Sequence, residues 1–336
     1  MKFRIRGVVA ITVYILCLLG SGPSIAQKAY ITNSDSNNVS VIDTATNTVI
    51  ATIAVGKFPQ GVAVSPDGRK VYVANELSNS VSLIETAKDK VTATIPVGIE
   101  PAGVAVSPDA KKVYVTNFGF GSKSVSVINT ENKAPTTIPV GTGPVGVAVS
   151  PDGRKVYVAN YDSMTVSVIN AGRNRVTARI LLGTHPVVEV AVSPDGRKVY
   201  VTSLGTSTVS VINSTTNRVT TIIPVGIDPI GLAVSPDGRN LYVANSGSTG
   251  KPGTVSVIAT ANNTVTTTIP VGTSPGGLAV NPDGSKIYVA NAASNNVSVI
   301  DTASNKVIAT ISVGRHPVAL GLFVQPTSKF PRTLQK

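Results

Sequence analysis

His185, Glu189, Arg315 and His316 carry the side chains of this 336-residue chain that hydrolytic or elimination chemistry would use. Histidine offers a base or metal ligand near neutral pH, glutamate a second carboxylate, and arginine a clamp for an anionic group. Around them there is no nucleophile motif, no glycine-rich phosphate loop and no Cys/His metal spacing. A second set, Phe58, Phe118, Phe120 and Tyr161, would stack bases or sugars if the fold gathered it on one surface. Seven tyrosines (Tyr30, Tyr72, Tyr114, Tyr157, Tyr200, Tyr242 and Tyr288) and six Pro-Asp dipeptides also invite a functional reading, as a ring or a calcium site. Their regular spacing argues against it.

That spacing is the dominant feature of the chain. Ser-Pro-Asp recurs at Ser65, Ser107, Ser150, Ser193 and Ser235, then as Asn281-Pro282-Asp283, at intervals of 42, 43, 43, 42 and 46 residues. A degenerate seventh copy falls at Gln325-Pro326. Each period reads as four short strands: A (Gly61–Val64), B (Lys70–Asn75), C (Val81–Ile84) and D (Thr94–Val97). A fixed period of this length with four strands predicts propeller blades. Strands A and B are apolar at successive positions, as strands buried on both faces are. Strand D is rich in threonine and carries Pro96, Pro139, Pro224 and Pro270, which suits an outer edge where no ladder donor is needed. The expected fold is all-β: a seven-bladed β-propeller of four-stranded antiparallel blades over residues 27–326. The chain opens in a B strand and ends in a spare A strand, Gly321–Val324. That strand is expected to join the N-terminal blade and close the ring.

A residue present in every blade serves the blade. The tyrosines are therefore read as packing residues and the aspartates as turn residues. One carboxylate per turn cannot supply the six to eight oxygens that calcium takes. In the third blade the turn glycine is replaced, giving Asp109-Ala110.

Residues 1–26 read as a secretory signal peptide: basic Lys2, Arg4 and Arg6, an apolar run from Val8 to Leu19, and Ser24-Ile25-Ala26 as a cleavage site before Gln27. The run is too short to span a bilayer, so no integral membrane segment is expected after cleavage. Cys17 is the only cysteine, so disulfides and thiolate metal sites are excluded from the cleaved chain. The formal net charge is +12, falling to +9 without the signal. Residues 327–336 form a basic C-terminal tail.

Tyr72-Val-Ala-Asn75, Tyr114-Val-Thr-Asn117, the Val-Ser-Val-Ile strands and the Ile-Pro-Val-Gly segments resemble the YVTN-family β-propeller repeat over essentially all of residues 28–325. The resemblance implies a surface-layer or exported bacterial propeller, periplasmic, secreted or displayed at the cell surface. It implies much less about activity, because one fold hosts many functions.

Up-and-down strands place the AB and CD turns on one face of the disc and the BC and DA loops on the other. The turn face carries 17 cationic against 11 acidic residues. Its AB turns hold Arg69, Lys70, Lys111, Lys112, Arg154, Lys155, Arg197 and Lys198. The loop face is slightly acidic and holds both candidate sets, with His185 and His316 each preceding a proline in a lengthened DA loop. From these features the chain is expected to be a monomeric, non-catalytic binding or scaffolding module of the cell envelope, with no cofactor and no metal. Its expected partner is an anionic envelope polymer or a protein. Single-stranded DNA binding is the alternative, carried by the net charge and the aromatics. A lactonase or lyase is the second alternative, because propellers with those activities place histidine, glutamate and arginine around a central funnel.

Overall fold

The computed structural model describes residues 27–326. The predicted signal peptide and basic tail lie outside the described residues. Six four-stranded sheets and one three-stranded sheet follow each other along the chain, each ordered sequentially and antiparallel, which is the seven-bladed propeller. Blade 1 holds β1 (Lys28–Asn33), β2 (Asn38–Asp43) and β3 (Thr48–Ala54). Blade 2 holds β4 (Pro59–Val64), β5 (Lys70–Asn75), β6 (Ser80–Glu85) and β7 (Lys90–Pro96), and blades 3 to 7 repeat that plan. The β5 residues Val71 to Asn75 are buried without interruption, whereas β7 alternates toward solvent and ends on an exposed Pro96. The apolar run and the proline-bearing strand thus mark the middle and the rim of a blade.

Three repeated interactions explain why the motif is written as it is. The seven tyrosines are all at most 2% exposed and pack between blades. Asn75, the last residue of its motif, donates through Nδ2 to Ser82 Oγ at 2.9 Å and accepts from the Gly56 amide at 3.1 Å. A side chain at Gly56 would meet Asn75 at 2.6 Å, so the glycine of Val-Gly and the asparagine of the motif require one another. The third interaction is a bulge in the inner strand. In β4 the ladder runs Val62↔Val73 to Val64↔Val71 and shifts between Pro59 and Val62. At that bulge a Cβ on Gly61 would stand 2.1 Å from the Ala102 carbonyl of the next blade.

The face assignment follows directly. The Lys112 ammonium of one AB turn reaches the Ala171 carbonyl in the next blade's CD turn at 2.6 Å. The Phe58 amide of a DA loop donates to Asn37 Oδ1 in a BC loop at 2.8 Å.

Blade 1 departs from the expectation in detail. The expected strand Gly321–Val324 is not a regular strand. The segment touches β1 through isolated bridges at Ala29↔Val324 and Asn33↔Pro317, with Tyr30 N–H donating to Phe323 O at 2.9 Å and Gln325 N–H to Lys28 O at 2.8 Å. Gly321 follows Pro317 by four positions where Gly61 follows Pro59 by two. The extra length forces Ala319 (φ 48°) and Gly321 (φ 110°) out of extended geometry, and the ladder breaks.

Ala110 adopts φ 57°, in the left-handed region where Gly68, Gly153, Gly196, Gly238 and Gly284 stand at 69° to 78°. Its amide closes the same turn, donating to Ser107 O at 2.8 Å as Gly68 does to Ser65 O. Left-handed backbone costs a residue with a Cβ about 1 kcal/mol, partly offset by the freedom glycine adds to the unfolded chain. Ala110→Gly is expected to raise the melting temperature by roughly 1–3 °C. A lower melting temperature, read by calorimetry, would contradict this turn geometry.

Candidate functional site on the propeller axis

The inner strands enclose a cavity of about 510 Å³ on the axis. Its wall is alanine, valine and leucine from every blade, and its turn-face end is ringed by prolines including Pro66, Pro108, Pro151 and Pro194. Proline and glycine alternate around that ring, because the turn glycine of one blade faces the turn proline of the preceding one: a Cβ added to Gly153 would stand 3.6 Å from Pro108. Ser65 and Glu189 are the lining residues with polar side chains, and Ser65 Oγ is occupied by Asp67 Oδ1 and the Lys70 amide.

Glu189 stands where five other blades carry the bulge glycines Gly61, Gly103, Gly146, Gly231 and Gly277, while in blade 1 the amide that reaches the motif threonine is that of Ala319, donating to Thr32 Oγ1 at 2.8 Å. Its backbone obeys the repeat. The Glu189 amide donates to Thr202 Oγ1 at 3.0 Å, as the Gly103 amide donates to Thr116 Oγ1 at 2.8 Å. The side chain does not. It lies against Gly146 of the preceding blade, where an added Cβ would meet Oε1 at 2.8 Å. Oε1 accepts from the Val190 amide at 3.1 Å, and no other side chain among the described residues hydrogen-bonds to the carboxyl. The residue is 6% exposed. Burial pushes the carboxyl up to about 7, against the smaller opposing effect of the Val190 amide.

This corrects the expectation that Glu189 shares the loop face with His185, Arg315 and His316. Glu189 faces the axis, whereas His185, Arg315 and His316 are exposed in loops. His185 precedes blade 5 and His316 follows blade 7, and they do not occupy matching positions. Leu204 N–H donates to Pro186 O as Ser34 N–H donates to His316 O, so Pro186 is the counterpart of His316. Thr184 Oγ1 lies 3.2 Å from His185 Nδ1, and Arg315 Nη2 donates to Asp35 O at 3.1 Å. Among the described residues no group of three histidines, cysteines or carboxylates is placed to hold a metal.

The aromatic set is brought together in part. Phe118 and Tyr161 meet edge to face, ring centres 6.0 Å apart at 84°. Phe120 stands fully in solvent, and Phe58 belongs to another blade junction. Phe58 is also a repeat position: it adopts φ 53° as Glu100, Asp228, Ser274 and His316 do in their loops, at 49° to 53°.

On the turn face the eight cationic candidates divide by role. Lys112, Lys155 and Lys198 are half-buried clamps, each donating to a carbonyl of the next blade's CD turn (Ala171, Ser214 and Thr260). Lys28 and Lys286 do the same to Thr86 O and Thr44 O, at 3.1 and 2.7 Å. Arg69, Lys70, Lys111, Arg154 and Arg197 extend into solvent around the proline ring. The clamp lysines had no separate signal in composition, but their recurrence at one repeat position was that signal.

These features define a seven-bladed propeller with an apolar axial chamber and a cationic turn face. The YNCE-like beta-propeller family matches residues 17–120, and the cytochrome D1 heme domain family matches residues 121–319. The second match spans more than half of the chain, which belongs to the cytochrome D1 heme domain family of propellers. Among solved structures, the chain is similar to Kuenenia stuttgartiensis hydrazine synthase at 26% identity and a TM-score of 0.76, over 82% of this chain and 92% of that one. A functionally unknown protein from Desulfotomaculum acetoxidans shares the fold at 17% identity and a TM-score of 0.75, over 88% and 99% of the two chains. Dihydro-heme d1 dehydrogenase NirN shares it at 16% identity and a TM-score of 0.63, over 87% and 74%. The PE-PGRS family protein PE_PGRS18 of Mycobacterium tuberculosis is 62% identical over 37 residues, which span 11% of this chain and 8% of that protein.

The family name implies a d-type heme, and the axial cavity does not fit one. No histidine, cysteine, methionine or tyrosine lines it to ligate iron, and no lysine or arginine lines it to meet heme carboxylates. The two histidines stand in exposed loops at separate blade junctions.

The raised Glu189 carboxyl has a consequence for stability. In the unfolded chain it ionises near 4.5, but in the fold only near 7, so ionisation penalises folding progressively between those values and fully above them. The ceiling on that penalty is on the order of 3 kcal/mol. Glu189→Gln carries no such charge. Its stability relative to wild type is expected to improve from about pH 4 to about pH 8 and then level off, as read by denaturant unfolding. A difference that does not change with pH would contradict the burial.

Proposed function

We propose that the protein is an exported, non-catalytic propeller that serves as a binding and scaffolding module in the cell envelope, taking an anionic polymer or an acidic protein surface on its turn face. The observation that carries this reading is the ring of exposed cations at Arg69, Lys70, Lys111, Arg154 and Arg197, spread over four consecutive blades. Rigid presentation favours it. The clamp lysines tie the AB turns of blades 3, 4 and 5 to their neighbours, so Lys111, Arg154 and Arg197 sit on a surface that loses little conformational freedom on binding. The charge adds up over blades and gives a face that attracts an anionic chain. The dispersal of His185, Arg315 and His316 away from Glu189 supports a non-catalytic reading over a lactonase or lyase.

Phe120, standing fully in solvent beside the Phe118–Tyr161 pair, favours single-stranded DNA on the loop face as the second reading. Titration with dextran sulfate and with an oligothymidine strand separates the two. On the turn face affinity falls steeply with salt, and replacing Arg154 and Arg197 with glutamine weakens binding by roughly tenfold, because each lost contact releases fewer counterions. Alanine at Phe118, Phe120 and Tyr161 leaves it unchanged. The reverse pattern with DNA would place the partner on the loop face, and insensitivity to both sets would leave a protein partner recognised by other residues. The lysine clamps are unsuitable targets, since their loss disturbs the ring itself.

A further inference from the structure

The turn face also holds an opening that the polymer reading leaves unused. The axial chamber of about 510 Å³ falls within the range of small-molecule sites. Leu322 lines it while remaining 69% exposed, an apolar side chain left to solvent within a concave site. Ala105, Ala148, Ala191 and the valines that follow them are only partly covered, and they face the same space. Against this apolar wall stands one carboxyl, 94% buried, with one oxygen held by its own neighbour's amide and no second side chain bonded to it. Five blades carry glycine at this place and blade 1 carries alanine, and the scaffold therefore does not need a carboxyl there.

We propose that the axial cavity is a binding site for one uncharged, largely apolar ligand with a single polar end, entering from the turn face and anchored by the Glu189 carboxyl. The chemistry of the lining selects that class. An anionic head would meet a carboxyl inside, and a cation would have to pass the exposed arginines and lysines at the mouth. A second polar group would be buried without a partner, because the only other polar side chain in the lining, Ser65, is already hydrogen-bonded. A ligand that is apolar along its length and hydrogen-bonds at one end leaves nothing unsatisfied. The site stands independently of polymer binding on the rim.

Occupancy is linked to protonation. An apolar ligand expels water from around the carboxyl and so favours its neutral form, which makes binding tighter below pH 7 than above it. Few titratable groups face Glu189 from the elements packed against it. The inner strands of blades 4 and 6 carry no ionisable residue. The adjacent second strands carry Lys155 and Lys198, bonded to Ser214 O and Thr260 O, and Tyr157 and Tyr200, whose phenols burial pushes up to about 12.

The test uses 1-aminoanthracene, a neutral fluorescent arylamine, titrated into the purified protein at about pH 5.5 and about pH 8.5. Wild type is expected to bind one molecule, about tenfold or more tightly at the lower pH. Glu189→Gln should bind with the same affinity at both. Val192→Trp, which puts bulk into the chamber from its partly open wall, should bind at least about tenfold more weakly while melting like wild type. A double variant with glutamine at Arg154 and Arg197 should bind the probe as wild type does. Absence of saturable binding by wild type would overturn the proposal, as would a pH step that survives Glu189→Gln. Full affinity in a folded Val192→Trp would do the same, and loss of probe binding in the double variant would place the probe on the rim.

Discussion

The inner strands of the blades approach one another so closely around the axis that a Cβ has no room at the bulge. At Gly61, Gly103, Gly231 and Gly277 an added Cβ would stand 2.0 to 2.4 Å from a carbonyl of the next blade. That contact sets how near the blades come, and therefore the width of the chamber they enclose. Hydroxyls at Thr32, Thr116 and Thr202 join neighbouring blades at the same level, donating to Gln60 O, Val145 O and Ile230 O at 2.6 to 2.8 Å. The threonine of a Tyr-Val-Thr or Tyr-Ile-Thr motif is thus an inter-blade bolt where it occurs. Blade 5 keeps the bolt and the bulge but substitutes a carboxyl for the glycine, and it can do so because Gly146 beside it has no side chain.

A second layer of contacts lies at the turn face, where the first lysine of a B strand reaches across to the neighbouring CD turn. At Lys112, Lys155 and Lys198 these contacts join ammonium groups to carbonyl oxygens and do not neutralise them, so charge is retained while the side chains lose their freedom, whereas Lys28 also pairs with Asp89 at 2.7 Å. Stability and electrostatics therefore come from the same residues on this face. The exposed arginines and lysines outside the clamp layer sit beside it. The loop face is built differently, with asparagine side chains holding DA-loop amides, and it offers one exposed aromatic, Phe120, over a single blade junction.

Almost all of the architecture was legible in the sequence because the period, the proline-bearing outer strand and the turn chemistry each reported the same blade. The candidate site was legible only in part. Glu189 lies four residues after His185, which suggested a shared loop. Val187 pairs with Ser203 as Pro59 pairs with Asn75, so Glu189 falls at the bulge, and aligning it with Gly61 and Gly146 was the signal that would have placed it. Lys112, Lys155 and Lys198 looked like free surface charge, although a residue repeated at one position of six of the seven second strands is a residue serving the blade. The break in the closing segment came from two extra residues after Pro317, whose effect on a ladder depends on backbone angles that residue types do not specify.

The central claim is that blade 5 aims one unpaired carboxyl into an apolar axial chamber. Carbon-13 NMR of labelled glutamate side chains, with the Glu189 signal assigned by its loss in Glu189→Gln, measures this directly. The account predicts a titration midpoint near 7. A midpoint near the ordinary glutamate value of about 4.3 would mean that the carboxyl is hydrated, and would contradict it.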